Sequence, residues 1–150
     1  MRLLRITTVP ISLHLLLTCQ FRYMVEKGYE VVTISADGPE VAEVLKEGVE
    51  HITVPFTRKI TPWHDLRCLL ALIRIIKKIK PDIIHTHTPK AGLLGMMAGW
   101  ICNTPVRMHT VAGLPLMEST GFKRKVLEAT EKVTIACAHT IYPNSAGLRK

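Results

Sequence analysis

PDIIHTHTPKAGLLGMMAGWICNTPVRMHTVAGLP, residues 81–115, holds two short apolar runs that each end in histidine and threonine, with a Gly/Ala/Met-rich segment between them. Read with the periods of strands and helices, it is strand, turn, helix, strand and loop. That order gathers His85, His87 and His109 at one edge of a sheet, and chemistry is expected at that edge.

Upstream, Arg2 to Val9 reads as a strand that Pro10 and Ser12 end, Ser12 offering an N-cap. Ser12 to Lys27 places Leu13, Leu16, Leu17, Phe21 and Met24 at helical spacing, and Gly28 stops the helix. Tyr29 to Ala36 is a β-branched strand ending in the turn Asp37-Gly38-Pro39. Pro39 to Gly48 is an amphipathic helix carrying Val41, Val44 and Leu45, and Glu50 to Phe56 is a third strand. Strand and helix alternating at this spacing give an α/β fold, an open and mainly parallel sheet with helices on both faces. Thr61-Pro62-Trp63 then opens a long helix from His64 to Lys80, with Pro62 in its first turn and Lys77, Lys78 and Lys80 at its C-terminal end. On a helical wheel Arg67, Ala71, Arg74 and Lys78 form a narrow wet stripe, whereas Leu66, Leu69, Leu70, Leu72, Ile73, Ile76 and Ile79 cover the rest. The expectation is a core helix with a solvated basic edge, a membrane-docking helix being the alternative. Downstream, Ser119 to Ala138 is another amphipathic helix, Thr140 to Pro143 a short strand, and Asn144-Ser145 the cap of a further helix. No repeat or linker divides the chain, so residues 1–150 read as one domain.

Charge is uneven. Residues 1–50 carry five Lys/Arg and seven Asp/Glu, whereas residues 51–150 carry fifteen and five, within an overall net charge of +8. The second part therefore expects anionic company: a phosphate-bearing substrate, an anionic membrane surface or, last, a nucleic acid, because two Trp, three Tyr and three Phe provide no basic-aromatic interleaving. Nucleic acid is not expected as a partner. Cys19, Cys68, Cys102 and Cys137 lie far apart in apolar runs, where a free cysteine behaves as a small hydrophobe; a reducing compartment fits best. The first twenty residues resemble a signal peptide superficially, but Pro10, Ser12 and His14 interrupt the apolar run and the pattern continues through Met24. No run reaches the roughly 18 consecutive apolar residues of a membrane span, so a soluble or membrane-surface protein is expected.

The turn after the first strand, Thr7 to Ser12, has no glycine, which disfavours a dinucleotide fingerprint, and no phosphate-binding loop of the G-x-x-x-x-G-K type is present. His85 and His87 share one face of a strand because side chains alternate. With His109 they offer three imidazoles to a metal, but no carboxylate stands nearby to orient them, and no metal site is expected. Lys90 follows His87 and Thr88 at a helix start, where free N–H groups favour an anion. Ala91, Gly92, Gly95, Ala98 and Gly99 are small at near-helical spacing and read as close packing. Thr110 to Gly113 and Asn144-Ser145 are further candidate anion or sugar loops. All follow strands, so they share the carboxyl edge, the usual ligand side of an open α/β sheet. No hydrolytic pattern is present beyond Asp37 or Glu118 alone.

DIIHTHTPKAGLLG, PVRMHTVAGLP and YPNS, with SLHLLLTCQFRYMVEKGYEV, closely resemble the N-terminal half of glycosyltransferase family 4 enzymes, those of bacterial surface-polysaccharide synthesis above all. The resemblance implies a GT-B architecture of two Rossmann-like domains, with residues 1–150 as the acceptor-side domain and the donor-binding domain, with its E-x7-E-type motif, missing. It implies retaining transfer from a nucleotide-sugar to a lipid-linked or polysaccharide acceptor, with no cofactor beyond the nucleotide-sugar as co-substrate. His109 matches the family's histidine after the fifth strand, beside the transferred sugar, and is the expected catalytic residue. His87, Thr88, Lys90, Thr110, Gly113, Asn144 and Ser145 are the expected substrate contacts. The family's glycine-bearing first loop is absent: no glycine occurs from Met1 to Lys27, and Cys19 stands where one is expected. The 150 residues alone are expected to be inactive, working at the inner face of the plasma membrane with a second domain or a separate C-terminal-domain subunit. A non-catalytic module for a phosphorylated glycan lipid or a partner subunit is the alternative, and an NAD-dependent or epimerase-like enzyme a third reading that the glycine-free turn opposes.

Overall fold

The computed structural model describes residues 1–17, 19–57, 61–111 and 120–143. Six strands, β1 (Arg2–Ile6), β2 (Glu30–Ser35), β3 (Glu50–Thr53), β4 (Ile83–Thr86), β5 (Val106–Val111) and β6 (Thr140–Pro143), form one sheet in the order β3-β2-β1-β4-β5-β6. Every pairing is parallel, so the expected open α/β architecture is the one observed. The order reverses beside β1, where the connections from β1 and β4 leave in opposite directions.

The helices divide between the faces. On one, α1 (Pro10–Leu17), α2 (Gln20–Glu26) and α3 (Val41–Leu45) bury Leu13, Leu17, Phe21 and Val44 against Leu3, Val31 and Val49. On the other, α4 (Pro62–Ile79), α5 (Pro89–Ile101) and α6 (Gly121–Cys137) lie side by side. Cys68, Leu72 and Ile76 of α4 and Ala91, Leu94, Met96 and Ala98 of α5 pack there on Leu4, Ile6, Val32, Ile34 and Ile84. Burying the Leu, Ile, Val, Phe and Met side chains among these contributes about 1.5–3 kcal/mol each, which holds both layers to the sheet. Among the described residues no helix is long and apolar enough to cross a membrane.

Three local readings change. The helix expected over Ser12–Lys27 is two helices, because Cys19 adopts a left-handed conformation (φ 70°) and its N–H is taken by the Glu47 carboxylate at 3.0 Å. This is a backbone region that glycine occupies most easily. The helix expected over Pro39–Gly48 is the five-residue α3, and β1 and β3 end three residues earlier than expected, at Ile6 and Thr53. On α4 the residues turned fully inward are spaced by four, 68, 72 and 76, so Ala71 is partly covered whereas Leu66 and Leu70 are half exposed and Trp63 is 82% exposed. The wet side of α4 is broader and more apolar than the wheel implied.

Candidate functional site

The carboxyl edge collects polar residues from separate strands. At the end of β4, Thr88 ties the β4–α5 turn to the β1–α1 turn: its Oγ1 accepts the Thr8 N–H at 3.0 Å and lies 2.7 Å from the Thr8 hydroxyl. The His87 N–H continues the ladder to the Ile6 carbonyl. Period two then sets the sides. In the parallel register Thr86 faces His109, while His85 lies one position out of step and bonds Thr110, its Nε2 2.7 Å from the hydroxyl.

His85, His87 and His109 are therefore split by the sheet. His85 and His87 share the α1–α3 face, as their spacing required, with ring centroids 4.1 Å apart. His109 sits within β5 rather than after it and turns to the α5 face, where Thr86 Oγ1 is 2.7 Å from its Nδ1. The three imidazoles do not converge on one point.

Gly92 makes the room for His109. A Cβ at Gly92 would stand 2.4 Å from the ring's Cε1, and Gly95 and Gly99 likewise admit Thr86 and Arg107. The small-residue stripe of α5 is packing, as its spacing implied.

Burial governs the charge state of all three rings. It pushes His109 down to about 4, a hydrogen bond to the Thr86 backbone pulling the other way. His85 is pushed to about 3 by burial, then by the charges of Arg5 and His109. His87 falls to about 2 by burial, then by His85, Arg5 and His109. At neutral pH each is a neutral imidazole, one nitrogen donating and one accepting. Such rings can orient hydroxyl groups without carrying charge.

Lys90 is placed at the start of α5, but its ammonium is engaged. It lies 3.0 Å from Asp65 Oδ1 and donates to Thr57 Oγ1 at 3.0 Å, while Thr61 bridges Thr57 and Asp65. This closed set joins the first turns of α4 and α5. Gly113, Asn144 and Ser145 lie outside the described residues.

The sequence reading passed over Arg5. It is buried, 7% exposed, and its Nη1 lies 3.1 Å from His87 Nε2 and 3.5 Å from Gln20 Oε1. The signal was available: a charged residue stands on an inward position between Leu3 and Thr7 in a strand with no wet face.

The chain belongs to the glycosyl transferase 4-like family, whose model matches residues 8–145. It is 38% identical over 130 residues to the capsular polysaccharide biosynthesis glycosyltransferase CapM of Staphylococcus aureus, covering 87% of this chain and 34% of that protein. It is 32% identical over 114 residues to the UDP-Gal:alpha-D-GlcNAc-diphosphoundecaprenol alpha-1,3-galactosyltransferase of Escherichia coli, covering 75% and 29%. The chain thus spans about a third of the length of these relatives. Among solved structures it is similar to MurG of Acinetobacter baumannii (TM-score 0.68, 13% identity, 95% of this chain and 40% of that one). A glycosyltransferase of Rickettsia africae gives TM-score 0.59 at 24% identity over 76% and 31%, and the UDP-GlcNAc 2-epimerase of Neisseria meningitidis 0.65 at 13% over 95% and 40%. At these identities the likeness is one of fold.

Proposed function

We propose that this chain is the acceptor-side half of a retaining glycosyltransferase, moving a sugar from a nucleotide-sugar to a lipid-linked or polysaccharide acceptor in surface-glycan synthesis. The observation that carries the reading is His109: a neutral imidazole, oriented by Thr86 near the carboxyl edge of a sheet whose family is that of glycosyl transfer. A neutral ring hydrogen-bonds sugar hydroxyls at neutral pH and does not repel the positive charge that develops at a transferring sugar carbon. Thr88 in the β4–α5 turn and Thr110 on β5 carry hydroxyls near the same edge, and the relatives named for capsule synthesis and for a diphosphoundecaprenol acceptor support an anionic lipid-linked acceptor. The donor is held mainly by a second domain, on the same polypeptide or a partner subunit, and these 150 residues alone turn over poorly. The nucleotide-sugar is a co-substrate and no resident cofactor takes part.

The same reading puts the protein on the inner face of the plasma membrane through α4. Trp63, Leu66 and Leu70 are exposed alongside Arg67, Arg74, Lys77 and Lys78, an apolar and basic surface complementary to an anionic bilayer. Co-sedimentation with phosphatidylglycerol vesicles but not phosphatidylcholine vesicles is expected, weakened by Trp63→Ser; equal recovery with both would remove this placement.

The test of transfer is incorporation of labelled sugar from a nucleotide-sugar into extractable lipid by membranes carrying this chain together with the donor-binding domain. His109→Ala should lower it by about 100-fold with the fold kept. Unchanged incorporation would refute the role of His109.

A further inference from the structure

Among the described residues, Arg5 is a buried cation without an anion. Its guanidinium is flanked by His87 and Gln20, both uncharged, and among the described residues its Nε has no hydrogen-bond partner. No ion pair to Arg5 occurs among the described residues. Taking a guanidinium out of water costs several kcal/mol unless an anion and a full set of acceptors compensate it, and burial lowers its pKa to about 10 with no carboxylate to oppose the shift. A charge held this way is unfavourable to folding, and a ligand oxyanion is the partner that would offset it.

The surroundings fit such a ligand. Arginine has donors only, so Nε2 of the neutral His87 accepts from Arg5 and the ring proton sits on Nδ1. That leaves a second donor at the end of β4. Gln20, the first residue of α2, is exposed, and its contact with Arg5 is at 3.5 Å, the limit of a hydrogen bond. A phosphate group carries the charge that the carboxamide lacks and can take two guanidinium N–H bonds at once, so it would displace it. Gln20 therefore links Arg5 to the surface, next to the left-handed Cys19.

We propose that Arg5 and His87 form an oxyanion site on the α1–α3 face that takes a phosphate or diphosphate group. Assigning that group to the donor or the acceptor rests on the glycosyl-transfer reading; binding itself does not, so a failure here leaves the turnover test of His109 untouched.

The experiment follows the Tm of the 150-residue chain against inorganic pyrophosphate, UDP and geranyl diphosphate at constant ionic strength. A saturable rise is expected, with apparent affinity reduced about tenfold or more in Arg5→Met and Tm without ligand unchanged or higher. Preference for geranyl diphosphate would assign the site to a lipid acceptor, preference for UDP to the donor. No saturable response in the wild type, or an equal response in Arg5→Met, would overturn the site. If Arg5→Met does not fold, the Nε–H signal of Arg5 in wild-type NMR spectra decides: movement with pyrophosphate supports the proposal, and no movement overturns it.

Discussion

Replacing Gly92 by alanine tests the packing that orients His109. The new Cβ would stand 2.4 Å from Cε1, 2.7 Å from Nδ1 and 3.0 Å from Nε2 of that ring. Carbon atoms in contact keep about 3.5 Å, so the imidazole must withdraw by about 1 Å, and its Nδ1 leaves the Thr86 hydroxyl now 2.7 Å away. Three contributions set the size. Overpacking costs about 1–3 kcal/mol, the lost hydrogen bond about 1 kcal/mol, and alanine in place of glycine in α5 returns about 1 kcal/mol. The net expectation is a loss of about 1–3 kcal/mol, read from urea titrations as a lower midpoint at unchanged slope. The decisive measurement is the same substitution in a His109→Ala background. With the ring gone the three nearest atoms to the new methyl are removed, the helical gain dominates, and Gly92→Ala should stabilise by about 1 kcal/mol. An equal cost in both backgrounds would show that the contact is not the cause.

Three further outcomes are expected. His85, His87 and His109 have folded-state pKa values of about 3, 2 and 4, below the 6.5 of a free imidazole, so the unfolded chain binds more protons in mild acid. Stability should be complete above about pH 6.5 and fall toward pH 4 by up to about 1.4 kcal/mol per pH unit for each ring; denaturation midpoints that do not move between pH 7 and 5 would contradict their burial. Thr88→Val leaves the Thr8 N–H without its acceptor and should cost about 1–3 kcal/mol, whereas Thr88→Ser, which keeps the oxygen, should cost much less by the same titration. Lys90→Met leaves Asp65, 21% exposed at its side chain, without its cation and should destabilise by about 1–3 kcal/mol, with Asp65→Asn restoring part of the loss in a double-mutant cycle; additive effects would show that the ion pair contributes nothing.

The alternation of β-branched runs with amphipathic runs was legible because strand and helix periods are local, and it leads directly to a parallel sheet. So was the small-residue stripe of α5, since a helix that must approach a sheet closely shows it at every turn. The break at Cys19 was not legible: apolar residues continue at helical spacing across it, from Leu17 to Phe21 and Met24, and the interaction that accompanies it comes from Glu47, 28 residues away. The wet side of α4 was misjudged for a related reason. A wheel counts apolar residues but does not know which flank α5 covers.

The candidate site divides along the same line. Period two by itself determined that His85 and His87 share a face, and the alternation of strand and helix led to the expectation that the candidate loops after β4, β5 and β6 share the carboxyl edge. Tertiary structure alone decided that His109 stands on the opposite face, because relative sides on different strands depend on register, and a shift of one residue reverses every side chain. It alone paired Lys90 with Asp65, and Arg5 with His87 across 82 residues of chain. Local sequence carries the direction in which a side chain alternates; which group it meets is set by how separate strands align when the core closes.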